Sequence, residues 1–336
     1  MKAFVVDKYG KSGVRAAKVP DPTIGPRDVL VQICAASINP LDIRVRNGEL
    51  KQLLKYKTPF VLGHDLAGVV TGVGSEVRNC KIGDEVYARP RDMRIGTFAE
   101  YIAVDHADLA LKPASLTMEE AAALPLVSLA AWQSLAELAQ VKPGQKVLIH
   151  AGAGGLGSTA IQLGKHLGAY VATTANGKDA QKLRDLGADE IIDYTTANFA
   201  MQLSGYDVVI DSLGGDNLSR SLTVLKPGGL AISVVGPPDT AFASQLGQPL
   251  LKPVMWILSR NVRAQAKKLG VRYSFFCMRA NGEQLKALSS LYDAGVLRPV
   301  VDRAFEFNDT LEAIAYVEKG RAKGKVVTVM PSIGTL

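Results

Sequence analysis

Apolar residues follow two different rhythms along this chain. Up to Leu116 they come in short runs bounded by glycine, proline or charge: residues 29–33 (VLVQI) behind a turn-forming IGPRD at 24–28, then 68–74, 84–88 and 98–104. Such runs predict strands joined by tight turns, in a β-rich module with few long helical patterns. The rhythm changes near Thr117. Thr117 with Glu120 three residues on has the spacing of a reciprocal N-cap, and MEEAAAL opens a helix behind it. From Lys146 onward, short and largely apolar runs at 147–149, 170–173, 190–192, 207–210 and 230–234 alternate with stretches of helical periodicity. Strands buried on both faces require such runs, and β–α alternation favours right-handed crossovers. This half therefore predicts an α/β fold with a doubly wound parallel sheet. The tail reads as a basic helix from Arg260, a strand at 273–276, a helix through Leu285, Leu288 and Leu291, and a last strand at 325–329.

Length and composition narrow the class. At roughly 100–200 residues per domain, 336 residues suffice for two. A 47% apolar and 21% charged composition is that of an ordinary globular protein, and no apolar stretch approaches the roughly 20 residues of a membrane helix. Asp7 interrupts the first apolar run before a secretory core forms, which predicts a cytoplasmic protein. Cys34, Cys80 and Cys277 lie far apart and form no CxxC pair, so no disulfide framework is expected. The net charge of +7 is spread along the chain, which argues against a nucleic-acid partner and suits the binding of a polyanionic dinucleotide. One local cluster, Arg260, Arg263, Lys267, Lys268 and Arg272, reads as a solvated helix face, with an anion or membrane-surface patch as the alternative.

Specific chemistry enters at KVLIHAGAGGLG, residues 146–157. Gly152, Gly154 and Gly157 satisfy GxGxxG, with Ala153, Gly155 and Leu156 completing the turn between a predicted strand and a predicted helix. One glycine makes the tight turn, one admits a pyrophosphate to the backbone, and one lets helix and strand pack closely. The pyrophosphate then sits at the helix N-terminus, where free N–H groups and the macrodipole favour an anion. An NAD site carries an acid about 20 residues on. Here residues 171–178 read VATTANGK, with no carboxylate before Asp179. Thr174, Asn176 and Lys178 instead offer donors and a positive charge to an extra phosphate, which points to NADPH.

With these residues in hand, the chain resembles, essentially end to end, the zinc-independent branch of the medium-chain dehydrogenase/reductase superfamily, the quinone oxidoreductases and enone (2-alkenal) reductases. AASINPLD at 35–42, GHDLAGVV at 63–70, LPLVSLAAW at 124–132, YDVVIDSLG at 206–214 and AISVVG at 231–236 carry the resemblance beside the glycine motif. It implies a GroES-like β-rich substrate domain, residues 1–123 and 260–336, and a Rossmann NADPH-binding domain, 124–259. It further implies that Leu213, Gly214, Val235 and Gly236 line the nicotinamide and its ribose, and that Tyr194 lies near the 2′-phosphate. Phe276 and Met278 would close over the nicotinamide, and Lys325 or its neighbour Lys323 would approach the cofactor. Ala130 departs from the threonine that many relatives carry, which removes one hydroxyl near the nicotinamide.

The family divides on zinc, and this chain lacks the ligands. Asn39 stands where the zinc enzymes place their first cysteine, Asp65 follows His64 in place of a glutamate, and residues 89–94 hold none of the cysteines of a structural zinc lobe. A catalytic zinc needs about three ligands from Cys, His and Asp or Glu, so no metal is expected. Without a Lewis acid, oxidation of a plain alcohol has nothing to lower the hydroxyl pKa. Hydride transfer from NADPH to an electron-poor quinone or α,β-unsaturated carbonyl needs mainly binding and alignment. On the substrate side, Asn39 is a candidate donor to a carbonyl or else the head of an Asn-Pro turn, and Asp42 and His64 are candidate neighbours. Tyr56 is a candidate proton donor or a loop residue. A non-catalytic NADPH-binding sensor or interaction protein is the alternative reading, and a monomer or homodimer is expected. The apolar segment 242–258 could cap a cleft, pair subunits or touch a membrane surface.

Overall fold

The computed structural model describes residues 1–331. The chain divides into two compact units: Met1–Leu129 together with the return segment from Arg279, and Ala130–Met278. The boundaries implied by the resemblance fall after residue 123 and at residue 260, the first a few residues before the Leu129–Ala130 division. The structure moves the second to 279, because the strand at Arg272–Phe275 pairs in parallel with the preceding strand of the second unit, Leu230 facing Arg272 and Ser233 facing Phe275.

In the first unit the long strand Asp28–Ile38 is the axis. It runs antiparallel to Asp65–Val73 on one side, with Ser37 facing Asp65. On its other side, residues 28–32 pair with Tyr101–Asp105 and residues 35–38 pair with the C-terminal strand Lys325–Val329, Val326 facing Ile38. A seven-stranded sheet and a three-stranded sheet result. Their inner faces bury Phe4, Val31, Ile33, Leu62, Leu66 and Phe98. The short helix Met118–Ala122 begins as expected, with the Thr117 side chain accepting from the Glu120 N–H and the Glu120 carboxylate capping in return.

The second unit is the parallel sheet. Its strands, numbered along the chain, are β1 (Lys146–Ile149), β2 (Tyr170–Ala175), β3 (Glu190–Asp193), β4 (Tyr206–Asp211), β5 (Leu225–Ser233) and β6 (Arg272–Phe275). They lie in the order β3-β2-β1-β4-β5-β6, all parallel. That is the dinucleotide-fold order, in which the chain reverses direction between β1 and β4 and leaves a crevice beyond their C-terminal ends. The helix Gly155–His166 follows β1, and Gly215–Thr223 follows β4. Between β5 and β6 the chain makes a longer excursion through the helices Thr240–Gln245, Lys252–Leu258 and Arg260–Lys268. Among the described residues, no helix is long and apolar enough to cross a membrane.

Candidate active site

The glycine turn is built as its motif requires. Gly154 is the N-cap of the helix Gly155–His166, so the first N–H groups of that helix have no carbonyl one turn earlier and face the turn. A Cβ on Gly157 would collide with the Ala151 carbonyl oxygen and lie 2.7 Å from the Gly152 Cα. A Cβ on Gly152 would strike the Thr173 hydroxyl on β2, and one on Gly154 would come within 3.3 Å of the Ala151 carbonyl. Ala153 is buried, while Gly155 and Leu156 are partly exposed at the mouth of the turn.

Behind the turn runs a hydrogen-bond chain that sequence patterning does not reveal. The Ala151 N–H donates to the Thr174 hydroxyl at 3.3 Å, and that hydroxyl lies 3.0 Å from His150 Nδ1. His150 Nε2 is 2.8 Å from the Ser221 hydroxyl, which donates to the Asn217 carbonyl at 2.6 Å. With the Ser221 proton committed, Nε2 must carry the histidine's proton and Nδ1 must accept from Thr174. His150 is thus held neutral, and burial pushes its pKa down to about 4, with Arg220 contributing and Asp211 opposing. The Thr174 hydroxyl is correspondingly occupied. It supports the turn instead of standing among the donors open to a 2′-phosphate. Asn176 keeps its amide nitrogen free of this chain, since its Oδ1 accepts the Lys178 N–H at 3.0 Å, and Lys178 and Tyr194 are exposed just beyond β2 and β3.

At the ends of β4 and β5 one carboxylate ties two loops together. Asp211, fully buried, accepts the N–H groups of Leu213 at 3.1 Å and Gly214 at 3.0 Å, and the Ser233 hydroxyl donates to it at 2.6 Å. Ser233 in turn accepts the Gly236 N–H at 2.8 Å. Leu213 and Val235 are therefore presented, half exposed, on a shared rigid base. Gly214 takes a φ of +69°, where a side chain is strained. Phe276 and Met278 are buried in the same unit, Phe276 through its N–H on the Ser233 carbonyl.

The first unit holds a second constellation. Strand register brings Ser37 opposite Asp65 and starts the strand Lys325–Val329 beside Asn39, so Ser37, Asn39, Asp42, His64, Asp65 and Lys325 meet, each at most 5% exposed. Asn39 caps the helix Pro40–Asn47, and its N–H donates to Asp42 Oδ2 at 2.6 Å. The other Asp42 oxygen holds His64 Nδ1 at 2.6 Å. Asp65 receives Ser37 Oγ at 2.9 Å, Asn39 Nδ2 at 2.8 Å, Lys325 Nζ at 3.3 Å and the Leu126 N–H at 2.8 Å. Lys325 also donates to Asn39 Oδ1. Burial pushes the lysine pKa down, while Asp65 and Asp42 hold it up. Lys325, expected beside the cofactor, thus supplies the cation of this cluster. Asn39, expected to face a substrate carbonyl, has both ends of its amide engaged. His64 Nε2 is buried without a hydrogen-bond partner.

Tyr56 stands apart from these hydrogen bonds. Its ring stacks on Phe60 at 4.9 Å and its oxygen accepts the Met93 N–H at 3.3 Å. Burial raises its pKa, which makes the phenol a weaker acid than a free one. Residue types alone missed Ser37, Asp65, Asp211 and Ser233 as parts of a site. The available signal was an acid at a strand end opposite a hydroxyl, which becomes visible only with the register.

Residues 25–114 match the family described as alcohol dehydrogenase GroES-like domain, and residues 186–328 that described as zinc-binding dehydrogenase. The mitochondrial NAD(P)H oxidoreductase RTN4IP1 of Mus musculus is 35% identical over 97% of this chain and 88% of its own length. The 2-methylene-furan-3-one reductase of Solanum lycopersicum is 37% identical, covering 97% of this chain and 78% of its own. Among solved structures, the quinone oxidoreductase from Coxiella burnetii superposes with a TM-score of 0.86 at 32% identity, over 98% of this chain and 99% of that one.

Proposed function

The chain belongs to the medium-chain dehydrogenase/reductase family and is a nicotinamide-dependent oxidoreductase, and from that premise we propose that it transfers hydride from NADPH to a quinone or an α,β-unsaturated carbonyl without a metal ion. The choice of cofactor rests on the stretch 170–178, in which β2 ends and Asn176 and Lys178 follow with no acid among them; the Asp193 carboxylate of β3, which lies against Gly177, is engaged by the Thr195 N–H and hydroxyl. A carboxylate there would repel a 2′-phosphate, whereas an ammonium attracts it. Bound NADPH supplies the hydride. The chain's own residues do the rest: the turn at Gly152, Gly154 and Gly157 holds the pyrophosphate, and the base formed by Asp211 and Ser233 fixes Leu213, Gly214, Val235 and Gly236 as the nicotinamide wall.

The buried cluster does not fit a zinc ion. The Asp65 carboxylate already serves four donors, the Asn39 amide is a poor replacement for a thiolate, and the Lys325 ammonium occupies the centre with a charge of the same sign as a metal. Among the described residues, no three of His, Cys, Asp and Glu are grouped as a metal would require. An acceptor that is already electron-poor suits such a site. The fully buried chain of Asn39, Asp42 and His64 would serve as a fixed polar base behind the acceptor site, with Tyr56 shaping the neighbouring surface. The relatives named for quinone and furanone reduction support the same acceptor classes.

Turnover tests the reading. NADPH and NADH oxidation are followed with a quinone, a 2-alkenal, a vinyl ketone and a plain ketone as acceptors. Quinone or enone reduction with NADPH preferred is expected, and Lys178→Glu should reverse that preference. Tight NADPH binding with no acceptor reduced would overturn the catalytic reading in favour of a sensing role.

A further inference from the structure

The excursion between β5 and β6 carries chemistry that hydride transfer does not use. Residues 249–272 (PLLKPVMWILSRNVRAQAKKLGVR) contain six basic residues and no Asp or Glu. The same segment exposes apolar side chains. Leu250 is 91% exposed, and Val254, Trp256, Ile257 and Leu258 are each more than half exposed. On the helix Lys252–Leu258, Val254, Ile257 and Leu258 fall at i, i+3 and i+4, one outward stripe, while Met255 is turned into the unit. The Arg263 guanidinium lies 5.1 Å from the Trp256 ring centroid and donates to the Trp256 carbonyl at 2.8 Å, which pins the indole at the surface. On the next helix Val262 and Ala266 face inward, leaving Arg260, Lys267 and Lys268 outside. Among the described residues no carboxylate pairs with Lys252, Arg260, Lys267 or Lys268.

Exposed apolar side chains interleaved with unpaired cations, and no acid, match one kind of surface. We propose that this face docks the protein reversibly on an anionic lipid bilayer. Leu250, Val254, Ile257 and Leu258 enter the headgroup boundary, while Lys252, Arg260, Lys267 and Lys268 meet the lipid phosphates and carboxylates. A second copy of this chain fits the face poorly. A two-fold contact would set the same cations against one another with no carboxylate in the segment to offset them. The helices are too short to span a bilayer, so the association is peripheral and sensitive to salt. The proposal stands apart from the hydride-transfer reading, since none of these residues is placed at the cofactor or the acceptor.

Co-sedimentation of the full chain with vesicles tests it. Binding is expected with phosphatidylserine-containing vesicles and not with pure phosphatidylcholine. It should disappear in 1 M salt, where the screening length falls to about 3 Å. Each basic residue at an anionic surface contributes about a factor of five, so Lys267→Glu with Lys268→Glu should weaken partitioning at least 25-fold. Val254→Ser with Ile257→Ser should abolish it. Both pairs are exposed, and unchanged melting temperatures would show that the variants still fold. Vesicles should shift the tryptophan emission to shorter wavelength, and Trp256→Phe should remove that shift. Equal sedimentation with neutral and anionic vesicles, or none with either, overturns the proposal. So does a dimer in light scattering that the Val254→Ser, Ile257→Ser pair dissociates without any vesicle binding.

Discussion

Lys325 and Asn39 are 286 positions apart in the chain, yet the ammonium of one donates to the amide oxygen of the other inside a fully buried cluster. A buried charge is costly unless it is paired, and here Lys325 and Asp65 balance each other. Lys325→Met therefore leaves Asp65 uncompensated and should cost about 3–5 kcal/mol in urea unfolding. Adding Asp65→Asn should recover part of that loss, because it removes the stranded charge. His150 poses the opposite case, a residue kept neutral. Its folded pKa of about 4 lies below the ordinary 6.5, so between these values the unfolded chain binds more protons than the folded one. Stability should fall as the pH drops through that window, by up to about 3 kcal/mol, with the loss complete below pH 4. Melting curves of the wild type and of His150→Gln across this range check it. The variant should lose that part of the slope.

At the scale of elements, the glycine turn couples packing to binding. Gly157 lies where the helix Gly155–His166 crosses the Ala151 backbone, and there is no room for a methyl group. Gly157→Ala should push the helix away from β1. We expect a stability loss of about 1–3 kcal/mol. NADPH affinity should fall at least tenfold, measured by calorimetric titration, because the freed N–H groups no longer converge.

The whole molecule is divided unevenly along its sequence. The second unit is one continuous segment, Ala130–Met278, with a complete six-stranded sheet and its own core around Leu148, Val209, Leu222 and Ala231. The first unit is discontinuous. Its axial strand needs Lys325–Val329 from the far end of the chain as a neighbour. Residues 130–278 expressed alone should therefore fold cooperatively and bind NADPH, as circular dichroism melting and titration would show. Truncation after residue 320 should instead leave the first unit unfolded, with its amides exchanging rapidly while those of the parallel sheet stay protected.

Local pattern determined much of this. The alternation of short apolar runs with helices, the glycine turn behind Lys146, the Thr117–Glu120 cap and the lack of an acid in residues 170–178 were all legible, because each depends on residues within a few positions of one another. The strand at 273–276 was legible as a strand but not as the sixth member of the parallel sheet, since its partner lies across three helices. Thr174, Asn39 and Lys325 were legible as polar groups near a site but not in their roles. Which hydrogen bonds a side chain makes depends on neighbours that strand register supplies. Thr174 turns to His150, Asn39 to Asp65, and Lys325 to both Asn39 and Asp65. Only the tertiary structure decided these pairings, because a buried donor or acceptor takes whichever partner the packed backbone brings within about 3 Å, whatever its distance along the chain.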